Sequence, residues 1–205
     1  MSETAPMAMP GRSQEADIVA ALGDRPVVLI GMMGAGKSTV GRRLALRLGL
    51  PFLDADTEIE HAAAMTIPEI FETHGEPHFR DGEAKVIARL LDGGAKILAT
   101  GGGAYMRAET RDRIRNQAIS MWLEADADVI LRRVKRRADR PLLKTADPAA
   151  TIARLIDERY PLYRQADITI ASRDVPHEKI VDECVAALRD YLGVGRCAPT
   201  TNETT

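Results

Sequence analysis

The chain predicts an α/β fold built on a mainly parallel sheet. Short apolar runs alternate with segments of helical periodicity, which is the pattern of successive βαβ units. Several apolar runs end in glycine or aspartate, and in such folds ligands sit at the carboxyl ends of the strands. Aromatic residues make up only 4% of the chain while hydrophobic residues reach 45%, so the core must be mostly aliphatic.

Residues 1–24 read as an extension, loose or with a short helix over "SQEADIVAALG". "PVVLIG" (26–31) is a buried strand, because a continuous apolar run suits a strand covered on both faces. "KSTVGRRLALRLG" (37–49) follows as a helix, with Val40, Leu44, Ala45 and Leu48 on one face and a glycine to stop it. "PFLDAD" (51–56) is a second strand. Helical segments are expected near 57–64, 67–74 and 79–92. "AKILATGGG" is a third strand running into glycines, a helix near 107–116 precedes a fourth strand in "AISMWLEA", and "DADVILRRVKRR" is again helical. A loop at 138–148, a helix at 149–163, the strand "DITIAS" and a helix at 176–192 complete the pattern. The expected organisation is one domain over 25–193 with a polar tail over 194–205.

Charge narrows the partners. The 28 basic and 30 acidic side chains nearly cancel, which argues against a general nucleic-acid or membrane binder but leaves room for a local patch. One exists: Arg132, Arg133, Lys135, Arg136, Arg137 and Arg140 crowd into "RRVKRRADRPLL". No apolar stretch approaches the ~18 residues of a membrane span, and the N-terminus lacks the charged-then-apolar order of a secretory signal. Cys184 and Cys197 show neither metal spacing nor a disulfide framework, which suits a reducing cytoplasm.

"GMMGAGKST" (31–39) matches the phosphate-binding pattern G-x-x-x-x-G-K-[ST] through Gly31, Gly36, Lys37 and Ser38. Glycines let successive N–H groups curl around phosphate oxygens, and the helix that follows turns its positive dipole end toward them. Lys37 can reach the outer phosphates, and the Ser38 hydroxyl can ligate Mg²⁺. This loop, between an apolar strand and a periodic helix, implies a nucleoside triphosphate. "LDADTEIE" sets Asp54 and Asp56 two apart at a strand end, where alternation points both carboxylates one way. One can hold Mg²⁺ through water while the other accepts a proton from a hydroxyl; Asp56 could instead cap the next helix. Arg80 calls for an anion, which could be a ligand or Glu76, Asp81 or Glu83. Three glycines, Gly101, Gly102 and Gly103, suggest a surface that a ligand approaches closely. Arg159 and Arg164, taken on their own, read as ordinary solvated helix residues.

As a set, "GMMGAGKST", "DAD", Glu76 to Arg80 as "GExxFR", "TGGG", "RPLL" and Arg159 to Tyr163 as "RxxxY" resemble the shikimate kinase family over residues 26–190. The resemblance implies a nucleoside-monophosphate-kinase-like fold: three layers, five parallel strands in order 2-3-1-4-5, and a lid over about 133–148. It implies transfer of the ATP γ-phosphoryl group to the 3-hydroxyl of shikimate, with Mg²⁺, in a cytoplasmic monomer without nucleic-acid or membrane partners. By position, Asp56 would be the base, with Lys37 and Arg140 sharing the catalytic work. Gly34, Ala35, Gly36, Lys37, Ser38, Thr39, Arg133 and Arg140 would hold ATP, Arg133 against adenine with "SRDVP" (172–176) near that pocket. Asp56, Arg80, Gly101, Gly102, Gly103 and Arg159 would hold shikimate, and Ser38 and Asp54 the metal, the latter through water. The residue reading leaves two rivals: a related kinase for another hydroxylated carboxylate such as gluconate, and a nucleotide-binding regulatory module without catalysis.

Overall fold

The computed structural model describes residues 14–135 and 147–194. Helix α1 (Gln14–Leu22) leads into strand β1 (Val27–Ile30), helix α2 (Lys37–Leu48), strand β2 (Phe52–Asp54), and helices α3 (Ala55–Ala63) and α4 (Ile67–Leu91). Strand β3 (Ile97–Ala99) precedes a 3₁₀ turn at Ala104–Met106, helix α5 (Ala108–Gln117), strand β4 (Ile119–Glu124) and helix α6 (Ala127–Lys135). Helix α7 (Pro148–Tyr163), strand β5 (Ile168–Ala171) and helix α8 (His177–Tyr191) finish the described chain. The strands form one sheet in the order β2-β3-β1-β4-β5, with every pair parallel, as the family resemblance implied.

Right-handed crossovers assign the layers. The β1-to-β2 connection runs one way across the sheet and every later connection runs the other, so α2 covers one face and α4 to α7 the opposite one. Packing agrees: α1 and α8 lie against α2, α4 against α5, and α6 against α7. All four β1 residues are buried, as a central strand in a covered parallel sheet requires. Helix α1 is tied to this core by Ile18 and Leu22, 0% and 1% exposed.

Two local features bear on function. Helix α4 starts with a capping box, Thr66 accepting from the Glu69 N–H while Glu69 accepts from the Thr66 N–H. It then kinks at Gly75, whose φ of 79° and ψ of 170° no helical residue adopts. The kink falls in the gap that the sequence leaves between 74 and 79. Around α3 and the start of α4, Ile59, Ile70 and Phe79 make a small cluster separate from the main core. Cys184 is buried in that main core, where lack of solvation raises its thiol pKa to about 12; Cys197 lies outside the described residues. No helix among the described residues is long and apolar enough to cross a membrane.

Candidate active site

Strand register gathers the motifs. Leu29 and Asp54 each pair with Ala99, so the carboxyl ends of β1, β2 and β3 lie level. Gly31 to Gly36, Asp54 to Asp56, and Thr100 to Gly103 therefore emerge on one rim. Sheet topology reverses between β1 and β3, where a ligand crevice is expected. A cavity of about 550 Å³ opens there, lined by the phosphate loop, Asp54, Asp56, Thr100 and Gly102 on one side and by Arg133, Asp174 and His177 on the other.

The phosphate loop is held by its own backbone. Ala35 N–H donates to the Met32 carbonyl at 3.2 Å, and Lys37 Nζ donates to the Gly31 and Met32 carbonyls at 2.8 and 3.0 Å. Gly36, at φ 96°, is the N-cap of α2 and has no side chain with which to cap. The first N–H groups of α2 are thus left to the cavity, which suits an anion. Ala35, expected among the ATP-holding residues, is 0% exposed and has both backbone groups engaged, the N–H by the Met32 carbonyl and the carbonyl by Ser172, so it shapes the loop rather than lining the cavity.

Asp54 and Asp56 reach the same cavity by a different route from the one expected. Strand β2 stops at Asp54, and Asp56 already stands in the first turn of α3. The N-cap is Asp54, whose Oδ1 accepts the Asp56 N–H at 3.1 Å; Asp56 as a cap is ruled out by this geometry. Capping bends the chain from extended to helical between the two residues, so strand alternation does not apply to the pair. Asp54 Oδ2 also accepts from Ser38 Oγ at 2.6 Å, which brings two hard oxygen ligands together beside the loop.

On the far side of the glycines lies a charged cluster. Arg80 donates through Nη1 to Glu83 Oε2 at 2.7 Å and through Nη2 to Glu76 Oε1 at 3.1 Å. Of the three carboxylates that the sequence offered, Glu76 and Glu83 are therefore engaged, while Asp81 pairs with Arg107. Glu83 is 3% exposed, and its Oε1 finds no hydrogen-bond partner among the described residues. Burial raises its carboxyl pKa despite the nearby Arg80, and Asp56 adds to the rise. The opposing pulls are local: Arg80 satisfies Oε2, whereas Oε1 is desolvated. For Arg80, burial lowers the pKa, but the Glu83 charge and the hydrogen bonds Arg80 donates to Glu83 and Glu76 outweigh it, giving a net rise.

The glycines are needed because these side chains press on them. A Cβ at Gly101 would stand 2.7 Å from Glu83 Oε1 and 2.8 Å from Asp56 Oδ1; one at Gly103 would stand 2.6 Å from Arg80 Nη1. Arg159 is buried at 8% exposure and donates to the Gly102 carbonyl at 3.0 Å. The Tyr163 hydroxyl donates to the same carbonyl, and its own pKa rises to about 12, chiefly through burial. Arg164 is exposed.

At the other end of the cavity, Arg133 donates to the Gly34 carbonyl, Ser172 Oγ, the Arg173 carbonyl and Asp174. Arg132 pairs with Asp174 at 2.7 Å while its side chain stays 58% exposed. Arg136, Arg137 and Arg140 lie outside the described residues, as does most of the expected lid. Glu83 and Tyr163 are not among the expected site residues, whereas Ser172 begins the segment 172–176 that the resemblance sets near the adenine pocket. Glu83 was legible in one respect, standing one helical turn after Arg80, but its burial depends on Gly101.

A triphosphate loop on the central strand, acidic groups at its edge and a second charged cluster beyond a glycine rim define a phosphotransferase of the P-loop kinase class. A family model for shikimate kinase matches residues 33–189. A shikimate kinase from Rhodopseudomonas palustris is 89% identical over 94% of this chain and 95% of that protein. The solved shikimate kinase of Acinetobacter baumannii in complex with shikimate superposes with a TM-score of 0.79 at 38% identity, covering 84% of this chain and 96% of that one. The chain belongs to the shikimate kinase family. A gluconokinase from Sinorhizobium meliloti has a TM-score of 0.59 at 18% identity, covers 83% of this chain and 94% of that one, and shares the fold alone.

Proposed function

We infer that this protein transfers the γ-phosphoryl group of ATP to the 3-hydroxyl of shikimate, yielding shikimate 3-phosphate and ADP. The observation that carries the reading is that the phosphate-loop cavity and the charged cluster meet at one glycine rim. The phosphate loop, Asp56 and Gly102 share a cavity, while Arg80 and Arg159 press on the same glycine rim. Shikimate is a hydroxylated monocarboxylate, so it asks for a cation with paired donors and for a hydroxyl acceptor. Arg80 and Arg159 supply the first and Asp56 the second.

In this reading the ATP phosphates lie on the N–H groups at the start of α2, with Lys37 turning from its own loop carbonyls toward them. Arg133 lines the base end, and Arg140 would neutralise phosphate charge during transfer. Asp56 orients the substrate hydroxyl and takes its proton as the oxygen attacks the γ-phosphorus. The bond to the β,γ-bridging oxygen breaks and ADP leaves with its electron pair. Positioning and charge neutralisation then account for most of the acceleration. For Mg²⁺, Ser38 and Asp54 offer one hydroxyl and one carboxylate, a fit for an ion that keeps several waters and takes its other ligands from phosphate. Bound there, Mg²⁺ would neutralise phosphate charge. The reading includes a monomer acting in the cytoplasm, without nucleic-acid partners.

A coupled ADP-release assay with shikimate and gluconate as alternative acceptors tests this. Turnover with shikimate and little with gluconate is expected. Turnover with gluconate alone would replace the assignment with the related sugar-acid kinase, and nucleotide binding without either reaction would favour a regulatory module.

A further inference from the structure

Ser172 follows β5 and is buried at 5% exposure. Its N–H donates to the Glu124 carbonyl at 2.5 Å, which extends the ladder of β4 and β5 by one bond and fixes the residue in place. Its hydroxyl donates to the Ala35 carbonyl at 2.7 Å and accepts from Arg133 Nη1 at 2.9 Å. One hydroxyl thus joins the phosphate loop to the arginine at the base end of the cavity, using its single proton and one lone pair.

Peptide planarity gives this bond a consequence. The Ala35 carbonyl and the Gly36 N–H belong to one trans peptide unit and point in opposite directions. Drawing the carbonyl toward Ser172 therefore turns the Gly36 N–H away from it. Gly36 and Arg133 line the cavity, whereas Ala35 is wholly buried. Rotation about this peptide would be the easiest way for the loop to misdirect that donor, since Gly36 at φ 96° has the backbone freedom of glycine.

We propose that Ser172 is a positioning residue for nucleotide binding, aiming the Gly36 N–H at the phosphates and holding Arg133 at the base wall through one hydroxyl. This deepens the kinase reading, on which it rests for the identity of the ligand. It predicts that base and phosphate recognition are coupled through a side chain that needs to touch neither.

The test is calorimetric binding of ADP and, separately, of shikimate to wild type and to Ser172→Ala, Ser172→Cys and Ser172→Thr. S172A is expected to weaken ADP about tenfold, the loss of one buried hydrogen bond with its partners left unsatisfied. Shikimate affinity should stay within about twofold, since sites that share no partner respond independently. S172T keeps the hydroxyl and should restore ADP affinity, whereas S172C, a weak donor of similar size, should behave like S172A. If S172A does not fold, the Thr and Cys variants carry the comparison. Adding Arg133→Ala to S172A, or to S172C in that case, should cost less than the two single losses combined, because both act on one bond. Unchanged ADP affinity in S172A and S172C, parallel loss of ADP and shikimate, or a Thr variant no better than Cys would overturn the proposal. ADP binding needs no turnover, so failure of wild type to bind or phosphorylate shikimate would sink the functional reading and leave this test standing.

Discussion

The two ends of the crevice are built on opposite plans. In the proposed reading, the groups offered to the phosphates at the nucleotide end come from one continuous segment after β1, and most are backbone. Carbonyls of the loop are occupied by Lys37, Ser172 and Arg133. At the acceptor end, Asp56, Arg80, Glu83 and Arg159 come from α3, α4 and α7 and converge on glycines after β3. Part of that end stands on the small Ile59–Ile70–Phe79 cluster rather than on the main core. A backbone site tolerates exchange of its side chains because its donors remain. A side-chain site holds its charges in mutual balance, so removing one leaves another buried without its partner.

Replacing Asp56 with Asn should sharpen this contrast most. The amide keeps the shape and cannot take the hydroxyl proton, so kcat is expected to fall about 10³-fold, within the range for a lost general base. ADP affinity, measured by calorimetry, should stay close to wild type. A variant that turns over well would remove Asp56 as the base. Arg80→Ala comes next, because it removes a charge-assisted donor pair and strips Glu83 Oε2 of its partner. The KM for shikimate should rise about 100-fold, the scale of losing one member of a buried charge pair, with the KM for ATP little changed. Equal rises in both would show that the two ends are not separable.

The same contrast explains what the sequence made legible. Gly31 to Thr39 could be read directly, because a backbone cradle needs glycines, a lysine and a hydroxyl at fixed spacing along one segment. The alternation of apolar runs and periodic helices likewise revealed the parallel sheet. Strand order and the pairing of distant motifs came from resemblance, since periodicity says which face is buried but not which strand lies beside which. Asp54 and Asp56 illustrate a local limit. The expected alternation failed because the cap at Asp54 turns the strand into a helix between them. The contacts made by Glu83, Tyr163 and Ser172 were hidden for another reason. Each residue acts on a group remote in sequence, namely Gly101, Gly102 and Ala35, and nothing local to them records that contact.

Gly103→Ala should give a smaller effect confined to the acceptor end. Its Cβ would meet the Arg80 guanidinium at 2.6–2.7 Å, but that group is the far end of a long side chain and can swing aside. The protein should fold, with the KM for shikimate raised about tenfold, consistent with a modest overpacking cost. Loss of ATP affinity instead would place the disturbance in the phosphate loop.

The smallest effect concerns pH and belongs to Glu83. Burial and the neighbouring Asp56 raise its pKa above the ordinary 4.5, against the pull of Arg80. A carboxyl with a raised folded-state pKa binds its proton more tightly in the native protein than in the unfolded chain. Its contribution is most favourable below pH 4.5 and is lost as pH climbs through the folded-state value. Glu83→Gln has no such proton to lose. Thermal melts of wild type and E83Q across that window should therefore show wild type declining relative to the variant as pH rises, while shared titrations cancel in the difference. A gap that widens in wild type's favour instead would mean that Arg80 dominates over desolvation. Glu83 would then be a simple ion-pair partner, and the acceptor end would carry less buried electrostatic tension than its geometry indicates.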